Sequence, residues 1–163
     1  MKNYMKLEIA AISENEAFAR SAVAAFALGL NPSLTELSDI KTAVSEAVTN
    51  CVVHAYGGNS PQERILIECE IGAETLEGHY GVLHIKITDY GCGIEDVEQA
   101  LLPFFTTLEN DERSGMGFTI MQTFMSGFSV KSQLGGGTQV TMTKVIGAPE
   151  HFDFGAAREQ VNA

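Results

Sequence analysis

Asp89, Gly91 and Gly93 stand as Asp-x-Gly-x-Gly at the end of the alternating stretch GVLHIKITD, and Gly115 and Gly117 open a later apolar segment, GMGFTIM. An aspartate on an inward strand face costs desolvation free energy unless donors meet its oxygens, and the exocyclic amino group of adenine is such a donor. Glycines just beyond it permit positive φ and let the backbone approach a flat base. A glycine pair at a helix start turns unpaired N–H groups and the positive end of the helix dipole toward an anion. Singly, the first pattern also fits a tight turn and the second is a weak signal. In this order along one chain they point to a nucleotide site.

A second set lies upstream on a long helical segment. Glu46, Asn50 and His54 follow one another at i, i+4 and i+8, which puts them along one side with about 40° of drift per step. The file borders an apolar stripe of Leu37, Ile40, Val44, Val48 and Val52, widened by Ala43, Ala47 and Cys51. A solvated helix face reads the same way. Its company with the two glycine motifs is what suggests chemistry.

These residues need elements to hold them. YMKLEIAAI alternates Met5, Leu7 and Ile9 on one face and predicts an opening strand. ENEAFARSAVAAFALGL predicts a helix with Phe18, Ala22, Phe26 and Leu30 at helical spacing and Gly29 near its end. Asn31-Pro32 breaks it, and Ser33 with Glu36 forms a capping box for the long helix, which continues to about Tyr56. RILIECEI and GVLHIKITD predict an antiparallel pair joined through GAETLEGHY, with Leu83, Ile85, Ile87 and Asp89 on the inward face. A short helix near Glu95 to Leu101, a loop from Pro103 to Ser114, a helix from about Gly115 and two strands, GFSVKSQ and TQVTMTKV, complete the pattern. The sum is an α/β two-layer sandwich: a mixed, mostly antiparallel sheet covered on one face by helices. Residues 1–147 read as one domain and 148–163 as a tail without periodicity.

Composition narrows the class. The chain has 163 residues, 45% hydrophobic and 19% charged, ordinary values for one folded domain. No apolar run approaches the roughly 20 residues of a membrane span, and the N-terminus shows no secretory h-region, so a cytoplasmic protein without membrane contact is expected. A net charge of −11 disfavours direct binding to nucleic acid, which relies on Lys and Arg against phosphates. Cys51, Cys69 and Cys92 are odd in number and widely spaced, and fit a reducing compartment as buried or half-buried residues.

Four segments, SEAVTNCVVHAYGG, DYGCGI, RSGMGFTIM and GGGTQVTM, stand in order and resemble the ATP-binding boxes of the family that includes gyrase, Hsp90, histidine kinases and MutL. Within it the chain resembles, up to about Val145, the bacterial anti-sigma factor serine kinases, the sporulation sigma-F type above all. The resemblance implies the Bergerat-type ATP-binding fold, ATP/ADP as ligand and Mg2+ as cofactor. It implies Glu46 as general base, Asn50 as the Mg2+ ligand and Asp89 as reader of the adenine amino group. Gly91 and Gly93 would shape the base pocket, Thr138 would add a hydroxyl near the base, and Gly115, Met116 and Gly117 would present amides to the phosphates. FFTTLENDERS would be a lid whose only basic residue is Arg113. Relatives often carry a lysine where Leu108 stands, so Arg113 is assigned to the phosphates in its place. Phe104 and Phe105 are lid anchors or core residues, and His54 has a structural or a catalytic role.

The implied partners are a sigma-F-like sigma factor, a small anti-anti-sigma protein phosphorylated on serine or threonine, and a second copy of the chain. Arg20 is the expected partner-binding residue, on a flat face with Ala24 and Ala27 opposite the phenylalanines and pairing with Glu16. A histidine kinase needs a phospho-accepting helical hairpin that the residues before Ser33 do not supply. Two other readings stay open: a nucleotide-gated sigma-binding module without kinase activity, and a kinase of a general stress switch.

Overall fold

The computed structural model describes residues 2–72, 81–103 and 115–147. The expectations for the 73–80 connection, for Phe104, Phe105, Leu108 and Arg113, and for the 148–163 tail lie outside these residues. One five-stranded sheet runs in the order β1-β2-β3-β5-β4, from β1 (Asn3–Ala11), β2 (Ser60–Gly72), β3 (Gly81–Asp89), β4 (Gly127–Gln133) and β5 (Gly137–Ile146). Every pairing among the described strands is antiparallel, which sharpens the mostly antiparallel expectation. Among the described residues four α-helices accompany it: α1 (Asn15–Ala27), α2 (Leu34–Asn50), α3 (Val97–Ala100) and α4 (Gly117–Phe124). No helix among the described residues is long and apolar enough to cross a membrane.

The core lies between the sheet and its helical layer. Ile65, Ile67, Ile85, Ile87 and Met142 from the strands meet Val23, Ile40, Val44, Val48 and Met121 from α1, α2 and α4. On β3 the alternation that buries Leu83, Ile85 and Ile87 also buries Asp89, as period two requires. Register then fixes its neighbours, because Asp89 pairs with Ile65 of β2 and with Thr138 of β5. A carboxylate is thus held at the end of the central strand by the packing of the apolar residues before it.

α2 begins where the sequence places it. Ser33 Oγ accepts from the Glu36 N–H at 3.2 Å, and the Ser33 N–H donates to Glu36 Oε2 at 2.7 Å, closing the capping box. Its buried stripe is Ile40, Ala43, Val44, Ala47 and Val48, with Leu37 half-buried at the margin. After Asn50 the helix continues but widens into a π-helical turn, Cys51–Ala55, closed by Tyr56 N–H donating to Cys51 O at 3.2 Å. Such turns occur mostly as single insertions, often beside functional sites.

α1 corrects the sequence reading. Its buried face is Ala19, Val23, Ala24 and Ala27, whereas Phe18 is 55% exposed and Phe26 half-buried. The face expected to be flat and solvent-facing is the one turned inward. Small side chains let α1 approach its neighbours closely, and close packing outweighs the area a phenylalanine would bury. Arg20 does pair with Glu16, at 2.8 Å, but at the seam with α2, where Ser45 Oγ bonds to Glu16 and lies 3.5 Å from Arg20 Nη1.

Candidate functional site

A cleft of about 880 Å³ opens between the end of α2, the ends of β3 and β5, α3 and the start of α4. Asn50, His54, Asp89, Gly93, Gly115, Gly117 and Thr138 all line it, drawn from four separate stretches of the sequence. His54 keeps its place beside Asn50 although the π-helical turn intervenes. Glu46 reaches the same region from one turn earlier on α2.

At the sheet end, Asp89 is 5% exposed. Its Oδ1 accepts from the Gly91 N–H at 3.0 Å and the Thr138 N–H at 3.1 Å, and the Cys51 thiol donates to the same carboxylate. Burial raises the Asp89 pKa, and these three donors pull against it. Burial also drives the Cys51 thiol well above its usual range, followed by the charge of Asp89, so Cys51 stays a donor. A carboxylate whose backbone donors converge on one oxygen keeps acceptor capacity on the other, which suits an amino group in the cleft.

The loop after Asp89 is tied down at several points. Tyr56 OH accepts from the Tyr90 N–H at 2.8 Å and donates to Arg64 O at 2.6 Å. It stands where the next rung of the β2–β3 ladder would lie, so the two strands part just beyond Asp89. The Cys92 N–H donates to Ala55 O at 3.0 Å, and Cys92 O accepts from the Gly135 N–H at 2.7 Å. Gly93 has φ 73° and lies against Gln133 O so closely that a Cβ would overlap it. Cys92 itself is exposed, against the expectation that all three cysteines are at least half-buried. Its place on this loop, with the chain turning around it, keeps its side chain out of the core.

At the helical end, α4 starts at Gly117 with Met116 as N-cap and no side-chain cap on its first N–H groups, and Gly115 before it has φ 65°. A Cβ on Gly117 would stand 3.1 Å from both amide atoms of Asn50 and 3.3 Å from Glu46 Oε2. The sequence separates these residues widely, and the fold sets the carboxylate and the amide against an open helix N-terminus. The far end of α4 is anchored: Lys144 Nζ donates to Phe124 O at 2.7 Å and pairs with Asp39 at 2.8 Å. That ammonium complements the negative end of the helix dipole while the positive end faces the cleft.

The site therefore brings together Glu46, Asn50, Asp89, Gly91, Gly93, Gly115, Met116, Gly117 and Thr138. Arg113 is outside the described residues, and Arg20 belongs to the α1–α2 seam. Sequence reasoning missed Tyr56, Cys51 as a donor, and Ser132, whose Oγ accepts from the Ile94 N–H at 2.8 Å. HAY after Asn50 gave a faint signal for Tyr56. Ser132 gave none.

Comparisons with known proteins show the family and the fold. The sequence profile described as "Histidine kinase-like ATPase domain" matches residues 9–144. The chain is 50% identical over 147 residues to the anti-sigma F factor of Caldanaerobacter subterraneus subsp. tengcongensis, covering 89% of this chain and 95% of that one. It is 48% identical over 146 residues to the anti-sigma F factor of Oceanobacillus iheyensis, covering 90% and 94%. Among solved structures, the RsbU and RsbW domains of Rv1364c from Mycobacterium tuberculosis superpose with a TM-score of 0.61 at 18% identity. That match covers 93% of this chain and 34% of the longer one, and it speaks to the fold.

Proposed function

We infer the function from one premise: this chain belongs to the histidine kinase-like ATPase domain family, and within it to the anti-sigma F factors. It is an anti-sigma factor built on a kinase-type ATPase domain that binds ATP and ADP. The finer reading is an ATP-dependent protein serine kinase that sequesters a sigma-F-like sigma factor and phosphorylates, and so inactivates, a small anti-anti-sigma protein. The observation that carries it is the meeting of Glu46 and Asn50 with Gly117 at the uncapped start of α4. A pure nucleotide sensor needs the amide and the helix but has no use for the carboxylate.

In this reading each residue has a task. Asp89 accepts from the adenine amino group. Gly91 and Gly93 shape the base pocket by letting the loop after Asp89 lie against Ala55 O and Gln133 O, where a Cβ on either would overlap, and Thr138 faces the edge of the base. The N–H groups from Gly115, Met116 and Gly117 bind phosphate oxygens, assisted by the positive end of α4. Arg113 is assigned to the same phosphates. Glu46 accepts the proton from the attacking serine hydroxyl, a modest demand in phosphoryl transfer, where positioning contributes more than basicity.

Asn50 is the Mg2+ ligand in this scheme. Among the described residues no group of three His, Cys, Asp or Glu side chains could hold a metal. The Asn50 amide stands beside Gly117 at the start of α4, a place that suits a hard ion bound through one amide oxygen, with phosphate oxygens and water completing its shell. When bound, the ion supplies charge neutralisation at the transferred phosphate. Arg20 is assigned to partner binding through the part of its side chain, 42% exposed, that the Glu16 pair leaves open. A homodimer and a cytoplasmic location complete the proposal.

The test is transfer of labelled γ-phosphate to the anti-anti-sigma protein. Glu46→Gln is expected to lower transfer by roughly 100-fold or more while ADP affinity stays within about threefold. Transfer at the wild-type rate by a variant that still binds nucleotide would remove Glu46 as the base.

A further inference from the structure

The base end of the cleft contains a chain of hydroxyls whose proton positions follow from their partners. Ser132 Oγ has three neighbours: it receives the Ile94 N–H at 2.8 Å, lies 3.0 Å from Gly137 O, and lies 2.8 Å from Thr138 Oγ1. Gly137 O is a carbonyl and only accepts, so the single Ser132 proton belongs to it. Both Ser132 lone pairs are then claimed, one by the Ile94 N–H and one by a proton that must come from Thr138. The Thr138 hydroxyl donates away from the cleft, and its oxygen, in a residue that lines the cleft, is left as an acceptor. Among the described residues Thr138 Oγ1 has no other hydrogen-bond partner.

Thr138 is also the residue whose N–H holds Asp89 Oδ1. Two acceptors, the Asp89 carboxylate and the Thr138 hydroxyl oxygen, therefore stand together at the end of the cleft. A purine with a 6-amino group offers two N–H donors to such a pair. A 6-oxopurine offers a carbonyl there, which would leave both acceptors facing a third, and unpaired buried polar groups are what make a site reject an analogue.

We propose that Ser132 is a specificity-determining positioning residue: by taking the Thr138 hydroxyl proton it keeps these side chains acceptor-only, and so selects adenine over guanine nucleotides. Ser132 does this without touching the nucleotide. With Ser132 removed, the Thr138 hydroxyl turns freely, presents its proton to the cleft and tolerates a carbonyl. The proposal rests on the nucleotide-binding reading of the cleft and adds the source of its base preference.

The experiment is calorimetric titration of ADP and GDP into the full-length protein, wild type beside Ser132→Ala, Ser132→Thr and Thr138→Val. The expected result is a preference for ADP in the wild type and a fall of the ADP-to-GDP affinity ratio by roughly tenfold in Ser132→Ala, about one hydrogen bond's worth. Ser132→Thr, which keeps the hydroxyl, restores the ratio. A merely structural role for Ser132 would weaken both nucleotides equally, and that result, or an unchanged ratio, overturns the proposal. If Ser132→Ala does not fold, Thr138→Val decides, since the ratio must fall there too and its constancy overturns the proposal. Failure of the wild type to bind ADP at all would instead overturn the functional reading beneath it.

Discussion

The two ends of the cleft are built on different terms. The base end is sheet-made and closed by hydrogen bonds: Asp89, Gly91, Ser132 and Thr138 partner one another, and the loop after Asp89 is pinned by Tyr56, Ala55 and Gly135. The phosphate end is an eight-residue helix with its first N–H groups uncapped and its far end fixed by Lys144. One end is fixed by its own hydrogen bonds and keeps acceptor capacity on Asp89 and Thr138 for a ligand. The other presents a helix start with no side-chain cap among the described residues. In the proposed function, recognition falls to the preorganised end and phosphate binding to the helix start.

The comparison breaks first at Asp89. Asp89→Asn is expected to weaken ADP binding by about 100-fold, because the amide turns a donor toward the adenine amino group in a buried site. The same change should raise the Tm of the nucleotide-free protein near neutral pH. Burial lifts the Asp89 pKa above its ordinary 3.8, against the Gly91 and Thr138 N–H groups and the Cys51 thiol. Between 3.8 and that raised value the folded chain keeps a proton that the unfolded chain has shed, so stability falls as pH rises through this window. The advantage of the variant should therefore vanish below the ordinary pKa, and thermal melts across pH would show it. A variant less stable than wild type at neutral pH would contradict the assignment of Asp89 as a strained recognition group.

A second change addresses the helical end alone. Gly117→Ala places a methyl group 3.1 Å from Asn50 and 3.3 Å from Glu46 Oε2, distances at which these side chains must give way. Phosphate transfer should fall by about tenfold, with ADP affinity reduced less, since misplacement by a fraction of an ångström affects the reaction more than the ground state. Equal losses in both would mean that the two ends are not separable. The smallest effect belongs to Tyr56→Phe, which removes the hydroxyl between Tyr90 N–H and Arg64 O. Nucleotide affinity should drop about threefold to tenfold, one net hydrogen bond, with kcat for bound nucleotide unchanged.

What the sequence revealed divides along physical lines. Alternation on β3 placed Asp89 inward, and the Ser33 and Glu36 pair located the start of α2, because strand period and capping are local. Phe26 on α1 and Leu30 just beyond it do pack at the margin of the core, but Phe18 turns outward and Ala24 and Ala27 inward: hydrophobicity ranks Phe18 above Ala24, and fit against the neighbouring helix ranks Ala24 higher. The π-helical turn after Asn50 escaped because one extra residue in a turn leaves no mark on an apolar pattern. Ser132 and Tyr56 escaped for another reason. Each depends on a partner far along the chain, Ile94 for Ser132 at 38 positions and Tyr90 for Tyr56 at 34, and no local rule joins such distances.

Asp89 and Thr138 are direct partners across the β3–β5 ladder although they lie 49 positions apart. The chain thus leaves the base pocket and comes back to it at adjacent points, and the whole intervening stretch is an excursion from a closed seam. Chain statistics make such excursions inexpensive to lengthen, since doubling one adds only about 0.6 kcal/mol of closure entropy. Changes of length in the connecting segments between these two points can therefore accumulate while the pairing of Asp89 with Thr138 stays in register.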